Sequence, residues 1–92
     1  MAEPRDIRLK RLAMRSGRRG IKEMDLILAD FAARALGGMS ESELDLYEAL
    51  LEESDHDLFA WVNGQTAAPP AYAQLIDRIA DGAKGLTRPN GT

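Results

Sequence analysis

The chain has 92 residues, 45% of them hydrophobic, which is enough apolar material for one small domain with a single core and too little for two. Its formal charge of -3 argues against generic nucleic-acid binding, but the charge is unevenly spread: through Asp25 eight Lys or Arg face four acids, and the remainder carries -7. There is no cysteine and His56 is the single histidine, so disulfides, thiolate metal sites and multi-histidine sites are excluded. No apolar run has the length of a secretory signal or a membrane span, and Glu3 and Asp6 are unusual in a transit peptide; a soluble, cytoplasmic protein without membrane insertion is the expectation.

The first predicted helix is short and basic. Asp6 is its expected N-cap, Leu9, Leu12, Ala13 and Ile7 face inward, and Arg8, Lys10, Arg11 and Arg15 spread around the outside as far as Ser16. Gly17 and Gly20 bracket Arg18 and Arg19 and favour a break between helices. From Ile21 to Leu36 the apolar residues Ile21, Met24, Leu28, Phe31 and Ala35 recur in steps of three and four, the spacing of one buried helical face. Glu23 falls opposite that stripe and points to solvent or to a partner. Gly37 and Gly38 are expected to end this helix through a left-handed residue.

Ser40 and Glu43 form a capping-box pattern, so a third helix begins at about Glu41. Leu44, Leu46, Tyr47, Leu50 and Leu51 form its inner arc, while Asp45, Glu48 and Glu52 line the other side as what reads as a solvated acidic face. Ser54 or Asp55 caps a short fourth helix containing Leu58, Phe59, Trp61 and Val62, which Asn63 and Gly64 close. After a linker over 65–70, Pro69 or Pro70 opens a fifth helix with Tyr72, Leu75, Ile76, Ile79 and Ala83 on its apolar face. Residues 85–92 carry too little apolar surface to order themselves and are expected to be a disordered tail behind a single domain over 1–84. With no alternating β-branched run, the fold class expected is all-α, a small bundle of about five short helices.

Catalysis by this chain is not expected. His56 sits in an acidic turn with no nucleophile paired to it, and solvated carboxylates on a helix face have no perturbed pKa with which to do acid or base work. No loop has the ligand spacing of a calcium site, so no metal is assigned. The turn over 17–20 is basic and glycine-containing but lacks Walker spacing. Phe59, Trp61 and Tyr72 read as core residues rather than a stacking platform. On the outer side of the second helix Leu26, Ala29 and Ala33 accompany Glu23 and Asp30. An apolar strip beside a cation-rich corner has the composition of a protein-binding patch, which suggests an adaptor or assembly protein.

At this corner Arg19-Gly20-Ile21-Lys22-Glu23 matches the RGxxE motif, and the chain resembles the succinate dehydrogenase flavinylation factors, the SdhE-type FAD assembly factors. The continuation Met24-Asp25-Leu26-Ile27-Leu28, the helix start Ser40-Glu41-Ser42-Glu43-Leu44, Tyr47-Glu48-Ala49-Leu50-Leu51 and the run from Asp57 to Gly64 resemble the same family in order and spacing. What the resemblance implies is a helical chaperone, not itself an enzyme, that binds the flavoprotein subunit of succinate dehydrogenase, and in some members of fumarate reductase. It promotes covalent attachment of FAD to a histidine of that client and holds no FAD stably. Arg19, Gly20 and Glu23 would be the functional motif, with Arg18 and Asp25 beside them as partner-binding residues. The rival reading is a nucleic-acid-binding or regulatory module that contacts phosphates through the basic first helix.

Overall fold

Pro4, rather than Asp6, precedes the first helix, α1 (Arg5–Ser16). Proline's φ of -57° suits a helix start, its carbonyl accepts from the Arg8 N–H at 2.9 Å, and Asp6 lies in the first turn, where a carboxylate complements the helix dipole. The computed structural model describes residues 3–17 and 20–83; Arg18, Arg19 and the expected tail over 85–92 lie outside them. Leu12 and Ser16 are buried and Leu9 is half-buried, but Ile7 and Ala13 are exposed, against expectation. The buried face of α1 is thus narrower, because its flank is turned towards other charges and away from the core.

The second helix, α2 (Lys22–Ala35), buries Met24, Ile27, Leu28, Phe31 and Ala32 and packs against α1. It ends in a 3₁₀ turn over Leu36–Gly38, and neither Gly37 nor Gly38 takes a positive φ, whereas Gly64 does, at 83°. A left-handed cap is unnecessary there because Arg5 reaches across from α1. Its Nη2 donates to the carbonyls of Met39 at 2.6 Å and Gly37 at 3.3 Å, satisfying groups that a helix end leaves open.

The capping box is present at the start of α3 (Glu41–Leu50): Glu43 N–H donates to Ser40 Oγ at 3.2 Å and Ser40 N–H to Glu43 Oε1 at 2.8 Å. Those bonds, with Arg78 beside it, hold the Glu43 carboxyl below its ordinary value. Ser54 caps α4 (Asp55–Val62) by accepting from the Asp57 N–H. The fifth helix, α5 (Ala73–Ala83), starts later than Pro69 or Pro70. Pro69 and Pro70 instead supply carbonyls to the Tyr72 and Ala73 N–H groups in the turn before it. Phe59, Trp61 and Tyr72 are half-buried at the margin of the core, with the Trp61 and Tyr72 rings 6.0 Å apart.

The described residues are all-α, with α2 as the hub that packs on α1, α4 and α5. The buried residues form a hydrophobic cluster to which every helix contributes. Inside it the Phe31 and Tyr47 rings lie 5.7 Å apart, and the Arg78 guanidinium sits 5.8 Å above Phe31.

Ser16 is the polar member of this interior, fully buried on α1. Its hydroxyl bonds to the Leu12 carbonyl at 2.7 Å and lies 2.5 Å from the Tyr47 hydroxyl. The serine has one hydrogen, which goes to the carbonyl, so the tyrosine donates to the serine. Ser16→Ala therefore deprives a buried phenol of an acceptor and should cost about 1–3 kcal/mol, more than an exposed serine would. A denaturant midpoint equal to that of the parent protein would refute this.

Candidate functional site

The arginines of α1 are paired with acids 33 to 40 residues away. Arg5 binds Glu41; Arg8 binds Glu41 at 3.0 Å, Asp45 at 2.6 Å and Glu48 at 3.1 Å; Arg11 binds Glu48 at 2.8 Å; Arg15 binds Glu52. Successive pairs advance in the same direction along both helices, so α1 and α3 lie parallel with their charged faces matched. The acidic face of α3 is therefore not simply solvated, and this corrects the expectation from sequence. A matching signal was present: arginines at 5, 8, 11 and 15 and acids at 41, 45, 48 and 52 each repeat in steps of three or four.

Glu48 is the centre of this ladder, with its side chain 32% exposed, and hydrogen bonding to Arg11 first of all holds its carboxyl below the ordinary range. A hydrogen bond from Arg11 likewise lowers Glu3. In return Asp45 and Glu48 raise the pKa of Arg8, and Glu3 and Glu48 raise that of Arg11. The Arg8 side chain is only 14% exposed, and its Nε is buried without a hydrogen-bond partner among the described residues. The fork has been spent on the Nη atoms.

The α1–α2 corner differs in character. Gly17 ends α1 with a bond to the Ala13 carbonyl, and a Cβ there would sit 3.8 Å from that of Ala29. Gly20 is exposed, and its N–H donates to Asp55 Oδ2 at 2.6 Å. Glu23, in the first turn of α2, is exposed and forms no hydrogen bond or ion pair among the described residues. Asp25 is half-buried and already engaged within the chain. Gly20 and Glu23 thus share one surface corner, and Asp25 is turned partly away. Arg18 and Arg19, the expected cations of this corner, lie outside the described residues.

Along the outer side of α2, Leu26 is 48% exposed and Ala29 and Ala33 are exposed, while Asp30 is taken by Arg34 at 2.7 Å. Sequence reasoning treated Asp55 only as a possible cap; its bond to Gly20 was missed. Among the described residues no group of three or more His, Asp or Glu could hold a metal ion, and no helix is long and apolar enough to cross a membrane. Among the described residues the arrangement offers a backbone N–H held by Asp55, the uncommitted carboxylate of Glu23 and a small apolar strip. Those are means of docking.

Residues 10–83 match the family model described as the flavinator of succinate dehydrogenase. Similar curated proteins include the one named succinate dehydrogenase assembly factor 2, mitochondrial, of Saccharomyces cerevisiae, 43% identical over 84 residues, or 86% of this chain and 52% of the relative. The proteins of the same name from Meyerozyma guilliermondii and Debaryomyces hansenii are 44% identical over 79 residues and 48% identical over 56 residues. These alignments cover 86% of this chain and 56% of the first relative, and 61% and 39% for the second. The chain spans about half the length of the curated relatives it matches. Their names place those relatives in mitochondria and overturn the cytoplasmic expectation. That expectation leaned on the absence of an apolar run and on Glu3 and Asp6 as residues unusual in a transit peptide, but mitochondrial leaders are amphipathic and basic and need no apolar run.

Proposed function

This chain belongs to the family of flavinators of succinate dehydrogenase, and on that premise we propose that it is an assembly chaperone that binds the flavoprotein subunit of that enzyme and promotes covalent attachment of FAD to a histidine of the subunit. The supporting observation is Glu23: exposed, uncommitted among the described residues, and three positions from a glycine with no side chain to hold another surface away. Glu23 orients polar groups of the client, Gly20 admits close backbone approach, and Arg19, with Arg18 beside it, anchors an acidic or carbonyl surface through its planar fork. The flavin bond forms on the client by the client's own histidine. The chaperone contributes by selecting a client conformation in which flavin and histidine are aligned, which is positioning and not a covalent step of its own. FAD belongs to the client, and the flavoprotein subunit of fumarate reductase is a further candidate client.

The nucleic-acid alternative has little left to draw on, since Arg5, Arg8, Arg11 and Arg15 already face carboxylates of α3, Glu52 just after it, or Glu3. The test is covalent flavin fluorescence of the client subunit on a denaturing gel, with and without this protein. The parent protein should raise the signal, and Glu23→Gln should lower the gain at least about tenfold, as expected on losing one charged partner in an interface. No gain from the parent protein rejects the function. A full gain from Glu23→Gln rejects the site.

A further inference from the structure

The fit of glycine at position 20 shows in what a side chain there would meet. A Cβ on Gly20 would lie 3.0 Å from Asp55 Oδ2, the atom that accepts the Gly20 N–H at 2.6 Å. A short bond from an amide to a carboxylate is about twice as strong as one between neutral groups. It also joins residues 35 apart in the chain, so it is tertiary and not a product of the local turn.

Among the described residues the start of α2 gives this corner little local support. Ile21 precedes α2 in an extended conformation, and no side chain caps the helix start. Asp55, by contrast, sits on a firm base. It is the first residue of α4, directly after the cap Ser54, where the helix dipole favours a carboxylate, and α4 packs on both α2 and α5.

From this we infer that Asp55 is a positioning residue of the docking corner: its carboxylate holds the backbone at Gly20 and so fixes the direction in which Glu23 leaves the first turn of α2. This rests on the proposed flavinylation function, and the test separates the two. A functional corner of this kind needs a second layer of contacts, because a small misplacement of the groups that touch the partner is amplified in rate. Asp55 touches the turn and not the client.

The experiment combines amide NMR of Gly20 with the flavinylation assay on the full chain. In the parent protein the Gly20 amide should be protected from hydrogen exchange, and Asp55→Ala should remove that protection and slow client flavinylation about tenfold. Asp55→Asn retains an acceptor oxygen and should recover most of both signals. Rates that follow the Gly20 amide across the three proteins, and not their melting temperatures, support positioning over a general loss of stability. The inference is overturned if the parent Gly20 amide exchanges freely, if Asp55→Ala flavinylates at the parent rate, or if Asp55→Asn is no better than Asp55→Ala. Should the parent protein fail to stimulate flavinylation at all, the chaperone reading falls, while the anchoring contact is judged on the Gly20 amide alone.

Discussion

Gly20→Arg is expected to weaken capture of the flavoprotein client about thirtyfold while leaving the helices folded. Gly20 is exposed, and the atom that a side chain there crowds is Asp55 Oδ2. The arginine must either push that carboxylate aside, releasing the turn, or project its chain over the surface where the client docks. Overpacking costs about 1–3 kcal/mol even where neighbours can relax, and ~2 kcal/mol is about thirtyfold in affinity. A pull-down or titration with the client subunit measures it, with helical content by circular dichroism as the control. Parent-like affinity would remove this corner from the interface.

Glu48→Lys should produce the largest loss of stability among the charged positions. Removing one partner of a fully buried ion pair costs about 3–5 kcal/mol, and an exposed pair is worth less than about 1 kcal/mol. Glu48 is one-third exposed and accepts from Arg8 and Arg11, with Arg15 at 4.0 Å, so it lies between those limits. Glu48→Ala should cost about 2 kcal/mol, and a lysine, adding a like charge beside three arginines, about 3 kcal/mol. The loss should be concentrated in α1, so native-state hydrogen exchange there should accelerate more than in α2 or α5. An unchanged urea midpoint would show that the ladder carries no net stability.

Acid should act on the same ladder. Glu48 and Glu3 have folded-state pKa values below the ordinary carboxyl value of 4.5, so protons bind the unfolded chain more readily than the folded one. Their contribution is fully present above that value and is lost as the pH falls through the lowered folded values. Loosening of α1 on acidification should therefore begin below about pH 4.5 and be largely removed in Glu48→Gln.

The helices themselves were legible from local relations. The stripe Met24, Leu28 and Phe31, the box of Ser40 with Glu43, and the cap at Ser54 each involve residues three or four apart, and a helix sets those relations within its own turn. The exposure of Glu23 followed from the same angular arithmetic. Errors of reading arose where a local signal had a distant competitor: the glycines after Leu36 lost their capping role to Arg5, and the acids of α3 proved to be partners of α1.

Chain order thus determined which residues form helices and which face of each is apolar, because those properties depend on neighbours within a turn. The pairing of Arg8 with Asp45 and Glu48, of Ser16 with Tyr47 and of Gly20 with Asp55 was decided only when the helices packed, since each contact joins residues more than thirty apart. A charge carries no local mark of its partner, and the partner is whichever group the packing of α2 against its neighbours brings within reach.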